Sequence, residues 1–430
     1  MHNNDMEASG KQNPQPGLPA VTKNTISRGQ KWLLLEVLAL GWVWSWLWCD
    51  SDGTVPGLLI GYGLFWLIYL GIFHLVCWEK AKQRPGCFLL AAAAALVCLL
   101  NALQGWYGSS QGLFGLPLFN LLAIPCMLML HAQAVAWPLP KEREGSGYAQ
   151  AFLYGFFVQP FSSMPACFQA VGSLFGARAK GKGGVWLGIV AAVPVVGIVL
   201  ALLLGADAVM NAFVREWTLQ LRWGELFWRL FWVLGCALLF YSFLYKAAWG
   251  ERPAFLQQKE LGERRMWQPA APTVVLGALL AVYAIFTYVQ FVYLFGGAGL
   301  PEGLTYAQYA HEGFGQLIWV AAINFGLFAV CLCQVQDTKR MRYLLCGLLA
   351  ATGVIVASAF TRIFMYICAY GFTLKRVMVV WLLAYLAAVL VACGMRLWKR
   401  KIPLLRLCVN GLALWYVVLN IVDLGGWYTG

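Results

Sequence analysis

Charged side chains are scarce in this sequence. Asp, Glu, Lys and Arg make up 11% of the 430 residues, where a soluble globular protein carries roughly a quarter. With 61% hydrophobic residues and a mean hydropathy of +0.68, that shortage excludes a soluble domain and points to a polytopic integral membrane protein. Histidine is scarcer still: His2, His74, His131 and His311 are the whole set. There is no HExxH, no GxSxG, and no P-loop or GxGxxG opening a helix after a strand. Thirteen cysteines are present, yet none forms a CxxC, and nearly all lie within apolar runs. Such cysteines are small packing residues, not metal ligands or disulfide partners. The sequence therefore offers no catalytic constellation, no metal site and no cofactor motif. Acidic residues are also few, and the formal net charge is +13. In a soluble protein that excess would suggest nucleic acid. Here the basic residues sit in short loops between apolar runs, where the positive-inside rule explains them and no nucleic-acid partner is implied.

What the sequence does contain is apolar runs near the roughly 20 residues a bilayer requires. They fall at about 32–49, 55–77, 87–104, 113–135, 185–204, 225–246, 272–294, 314–335, 343–362, 377–396 and 404–424, eleven in all. The expected fold is an all-α transmembrane helical bundle over 31–430 as one domain, after a polar, disordered cytoplasmic tail at 1–30. Basic clusters precede the first span (Lys23, Arg28, Lys31) and follow the second (Lys80, Lys82, Arg84). They recur after the sixth (Lys246, Arg252), the eighth (Lys339, Arg340, Arg342) and the tenth (Arg396, Lys399). With eleven spans all of them share one side, which predicts an amino terminus inside and a carboxyl terminus outside.

One apolar run resists that scheme. In 150–176, Pro160 and Pro165 bracket Ser162-Ser163, and basic residues flank both ends. A re-entrant or interfacial segment over 150–184 keeps both flanks on one side and preserves the charge pattern.

Polar residues within spans are costly and usually face the bundle interior or a wet cavity. They concentrate in 305–376. On a helix, Tyr309, Gly313, Gln316, Val320 and Asn324 share a face at offsets of four, three, four and four, and Ser358, Arg362 and Tyr366 share one on the next helix. Arg362, Lys375 and Arg376 lie on the side expected to be poor in basic residues, close to Tyr366 and Tyr370. Either they pair with carboxylates such as Glu302, Glu312 or Asp423, or they bind an anion, which the planar fork of Arg suits. His311 beside Glu312 reads as a solvated loop pair or, at an outer-leaflet site, as an acid–base pair.

The segment Tyr306-Ala-Gln-Tyr309-Ala-His-Glu-Gly313-Phe314, the later Arg362, and Tyr370-Gly371-Phe372-Thr373 followed by Arg376 resemble an uncharacterised family of bacterial polytopic membrane proteins, domain of unknown function 4173, with a sister family numbered 4153. The resemblance covers 305–376, with Phe372 standing where the family pattern has Leu. It implies a bacterial cytoplasmic membrane address and brings no activity.

Three functional expectations follow. The first is binding or transport of an anionic or amphiphilic ligand through an outward-facing polar cavity, with Tyr309, Glu312, Gln316, Asn324, Arg362, Tyr366, Tyr370, Lys375 and Arg376 as candidate ligand-binding residues and membrane lipid as the surrounding partner. The second is a non-catalytic sensor or partner subunit of a membrane complex. The third is an enzyme acting on a lipid-linked substrate at the outer leaflet.

Overall fold

The computed structural model describes residues 27–49, 54–107, 116–137, 144–174, 223–253, 267–295, 314–399 and 402–424, with a few isolated positions between 192 and 203. Every extended element among them is helical. Ten helices are long and apolar enough to cross a membrane: α1 (Arg28–Cys49), α2 (Val55–Lys82), α3 (Phe88–Tyr107), α4 (Leu116–Ala136), α8 (Trp223–Trp249), α9 (Ala270–Val289), α10 (Phe314–Gln334), α11 (Lys339–Tyr370), α12 (Leu374–Trp398) and α13 (Leu404–Leu424). They coincide with ten of the eleven expected spans; the expected span at 185–204 lies outside the described residues except for those isolated positions.

Helix ends are set by local chemistry that hydropathy does not register. The span expected at 343–362 is a 32-residue helix, α11. Thr338 caps its start, accepting from the Met341 amide at 3.2 Å, and the basic first turn is helical although it is not apolar. The helix stops at Gly371, whose φ of +77° no other residue type adopts cheaply. The preceding turn is braced by Asp337, which receives two bonds from Arg342 at 2.8 and 3.0 Å. It is braced also by backbone pairing of Trp267 with Gln334 and Gln336.

The buried apolar residues form two clusters. One joins α1, α2, α3, α4 and α8, with contributions from Ala413 and Val417 of α13. The other joins α9, α10, α11 and α12. Helix α13 is the seam. It packs along α3, and its Trp415 exchanges reciprocal indole-to-carbonyl bonds of 2.9 Å with Trp381 of α12. Close approach within the first cluster depends on glycine. A Cβ at Gly41 would lie 2.4 Å from the Val233 carbonyl oxygen, and one at Gly63 2.5 Å from that of Cys98; small residues at such crossings let two backbones meet without hydrophobic assistance from lipid. All thirteen cysteines are free thiols, and Cys77, Cys98, Cys167 and Cys236 are packed in this core.

Residues 144–174 do not form one straight helix. They run as α5 (Glu144–Leu153), a π-helical turn (Tyr154–Val158), α6 (Gln159–Ser162) and α7 (Met164–Leu174). The break falls at Ser163, which the flanking prolines predict. Gln159 is fully buried: its amide donates to the Phe243 carbonyl at 2.9 Å and accepts from Gln133 at 2.6 Å. The Ser163 amide donates to Ser242 at 2.9 Å. The opposite face, Leu153, Phe157 and Phe161, is apolar and exposed.

Candidate functional site

Helices α9, α10 and α11 meet around polar side chains that a bilayer would otherwise penalise. Asn324 is 1% exposed. Its Oδ1 accepts from Tyr283 of α9 at 2.7 Å and its Nδ2 donates to Thr352 of α11 at 3.0 Å, so one amide fastens three helices. Thr352 donates in turn to the Leu348 carbonyl at 2.7 Å. Two turns towards the α11–α12 end, Ser358 donates at 2.6 Å to Gln290, in the π-helical turn (Gln290–Phe295) that continues α9. Arg362 follows one turn beyond Ser358 and is 8% exposed.

The turn Tyr370-Gly371-Phe372-Thr373 now has a physical reading. Gly371 supplies the positive φ. Arg376 reaches back from the first turn of α12 and donates from Nη1 to the carbonyls of Tyr370 and Gly371, two of the groups a helix end leaves without partners. Its guanidinium stands 4.4 Å from the Tyr366 ring centroid and 5.8 Å from that of Tyr370. The motif residues therefore lock a helix–turn–helix corner.

The expected site residues separate into groups. Asn324, Arg362 and Tyr366 are interior or half-buried, while Lys375 and Tyr370 are exposed. Gln316 corrects the single-face reading: it is exposed, whereas the inward face of α10 is Ala321, Asn324, Phe328 and Cys331. Eight residues at about 100° each leave Gln316 some 80° away from Asn324, too far to share a narrow interior stripe. Tyr309 and Glu312, together with His311 and Glu302, lie outside the described residues.

A second polar system went unrecognised in the sequence. Asn101 (α3), Asn120 (α4) and Asn420 (α13) are each fully buried. Asn120 donates to Asn101 at 3.1 Å and to Asn420 at 2.9 Å, and accepts from Tyr416 at 2.6 Å. Asn101 donates to the Leu59 carbonyl at 2.8 Å, and Gln104 reaches Asp423 at 3.0 Å. The signal was available: Asn101 and Gln104 lie three apart, and Tyr416, Asn420 and Asp423 lie four and three apart, each set on one helical face. His74 and His131 are likewise not isolated. Their rings stack with centroids 5.1 Å apart, and each Nδ1 faces a backbone carbonyl at 2.9 Å, that of Leu70 and Cys87 respectively.

Beside the α9–α11 contact runs a groove of about 580 Å³, walled by Leu280, Ala284 and Tyr288 on α9 and by Gly347, Ala351 and Val354 on α11. Its lining is apolar, and Ala284, Tyr288 and Ala350 are exposed. Among the described residues, tyrosine and threonine occupy both ends of the Asn324 amide, and no polar cavity opens beside it.

Ten long apolar helices with buried amides, hydroxyls and a guanidinium in their interior define a polytopic α-helical membrane protein. The chain belongs to the family described as "Domain of unknown function (DUF4153)", whose model matches residues 86–429. This corrects the resemblance in two respects: the family is the one expected as the sister, and the match reaches far beyond 305–376. No curated protein and no solved structure matches.

Proposed function

We propose that this chain is a multi-pass membrane binding protein or carrier for an anionic amphiphile, recognised at the α11–α12 end. The observation that supports this reading is Arg362, a guanidinium 8% exposed one turn beyond Ser358 and two turns before the end of α11 at Tyr370. Placing a cation there costs insertion energy, roughly 2.5–3.5 kcal/mol at mid-membrane and less towards the interface. An anionic ligand would be attracted by that charge in addition to the interactions Arg362 already makes. Lys375, exposed two residues into α12, extends the positive field to the surface. Arg376 contributes charge as well, but its geometry is committed to capping α11.

The test is thermal unfolding of the purified protein in neutral detergent, titrated with glycerol 3-phosphate as a soluble headgroup and with choline as a cationic control. A specific site raises the unfolding temperature saturably with the anion alone, and ligand at a hundred times its Kd adds about 2.7 kcal/mol. The gain falls with added salt and shrinks in Arg362→Gln and in Lys375→Gln. Absence of any anion-dependent shift, or an equal shift in both variants, would overturn the reading.

A further inference from the structure

We infer that Glu36 is a proton-binding site inside the membrane, a carboxyl that keeps its proton in the folded protein at neutral pH. This is independent of the anion reading at the α11–α12 end. Glu36 is half-buried on α1. Its Oε2 is buried without a hydrogen-bond partner, and among the described residues no hydrogen bond or ion pair reaches the side chain. Two contacts with α8 fix its depth. Tyr241 donates to the Gln30 carbonyl, and a Cβ at Gly41 would meet the Val233 carbonyl oxygen. The two helices therefore run antiparallel, and Glu36 lies level with Ala237. Arg229 is eight residues from Ala237 on one side and Lys246 nine on the other, about 12–14 Å along the axis in each direction. Glu36 is also eight residues inside the start of its own helix at Arg28, again about 12 Å. Half of a hydrocarbon core roughly 30 Å thick is about 15 Å. A glutamate stem of two methylenes cannot carry its carboxyl to water over that distance.

The elements packed on α1 are α2, α7 and α8, and none brings a counter-charge to that level. There α8 carries Gly235, Cys236 and Ala237, with Tyr241 one turn on. Helix α7 has no charged residue, and its one titratable group is the Cys167 thiol. On α2, Lys80 and the adjacent Glu79 lie level with Ala247, whose carbonyl Lys80 reaches, about 15 Å from Ala237 by helical rise. Tyr69 of α2 packs on Phe240, and His74 stacks on His131 of α4. Lys31, the nearest cation along the chain, is five residues back and some 140° round the helix.

An isolated carboxylate in such surroundings is penalised so heavily that the group takes up a proton instead. Access to it is from the lipid side. Leu33, Val37 and Leu40 on one flank of Glu36 are buried, while Trp32 and Ala39 on the other are exposed. A reagent dissolved in the bilayer therefore reaches the carboxyl where one confined to water does not.

The experiment treats the full chain in lipid nanodiscs at pH 7 with lipid-soluble dicyclohexylcarbodiimide or with a water-soluble carbodiimide, and maps modified peptides by mass spectrometry. A protonated carboxyl gives its proton to one carbodiimide nitrogen while its oxygen adds to the central carbon, so the adduct keeps every atom of both reactants. A solvated glutamate holds its proton in only about one molecule in 500 at pH 7. Exposed Glu79 should therefore be modified by the lipid-soluble reagent on the order of a hundredfold less than Glu36. Modification of Glu36 should fall as the pH is raised, and the water-soluble reagent should leave it untouched. Glu36→Gln exchanges a neutral acid for a neutral amide of the same shape, so its unfolding temperature at pH 7 should match that of the unsubstituted protein. Modification of Glu36 no greater than that of Glu79, or independent of pH, would overturn the inference. So would a clearly higher unfolding temperature in Glu36→Gln, because the substitution would then have removed an unpaired buried charge.

Discussion

At the scale of single residues, the two arginines at the α11–α12 corner hold the same charge in different employment. Arg376 donates to two helix-terminal carbonyls and covers Tyr366. Hydrogen bonds from a charged group contribute about 1.5–3 kcal/mol and an exposed cation–π contact about 0.5–1. Arg376→Gln should therefore lower stability by about 2 kcal/mol in a denaturant titration in detergent. Arg376→Lys should recover only part, because the compact, strongly hydrated ammonium loses the planar stacking of the guanidinium on Tyr366. An unchanged midpoint for Arg376→Gln would show that the corner is held by Gly371 alone. Asn324 admits the opposite test. Both ends of its amide are occupied, and bonds of this kind contribute about 0.6 kcal/mol on average and up to about 1.7. Asn324→Leu should lose about 1–3 kcal/mol while anion-dependent stabilisation persists; loss of that stabilisation in folded protein would make Asn324 a ligand contact. The sequence exposed Asn324 through the rule that a polar side chain in a span needs an interior partner, and Arg376 through a charge on the side expected to be poor in basic residues. It misplaced Gln316 because spacings of three and four drift when accumulated over two turns. It could not separate an arginine that caps a helix from one we propose as a ligand contact, since that depends on where the neighbouring carbonyls end.

At the scale of elements, hydropathy marks a span well and marks its partners hardly at all. The contact of Asn120 with Asn420 joins residues 300 positions apart, and no periodicity in either segment names the other. Asn120 sits at the centre, donating to two amides and accepting from Tyr416. Asn120→Leu removes both donors at once and leaves Asn101 and Asn420 with unmet oxygens. Asn120→Leu and Asn420→Leu should consequently be non-additive, with a coupling energy of roughly 0.6–1.7 kcal/mol in a double-mutant cycle. Strict additivity would mean that water or lipid headgroups satisfy these amides. The segment 144–174 shows the converse limit. Its prolines and serines forecast a broken helix, and the break is found at Ser163. Its depth was not legible, because depth follows from Gln159 and Ser163 bonding to Phe243 and Ser242. Ser242 lies seven residues before the α8 end at Trp249, about 10 Å by helical rise. With an exposed face of Leu153, Phe157 and Phe161, these contacts support a re-entrant or interfacial hairpin in the leaflet on the amino-terminal side, which is the position we propose for it.

At the scale of the whole molecule, that proposal fixes the parity of the membrane crossings. The start of α1 and the ends of α2 and α8 lie together: Tyr241 donates to the Gln30 carbonyl at 3.3 Å, and Lys80 donates to that of Ala247 at 2.7 Å. The Gln104–Asp423 contact and the α11–α12 corner belong to the other end of their helices. Segment 144–174 bonds to α8 near Trp249, while α8 begins at Trp223 at the opposite end. On the sequence expectation of a span at 185–204, we propose one further crossing there. An eleventh crossing there, with the broken segment not traversing, places all the basic loop clusters on one side. It also places the α11–α12 corner with Lys375 and Arg376 on the other. We therefore propose an amino terminus inside and a carboxyl end outside, and a reporter active only in the periplasm tests it. Fused after Gly430 it should be active; inserted within 252–265 it should be silent. Activity at 252–265 with silence after Gly430 would mean that 150–176 crosses the bilayer. Arg362 and Lys375 would then face the cytoplasmic leaflet, and an anionic ligand would be recognised from that side instead.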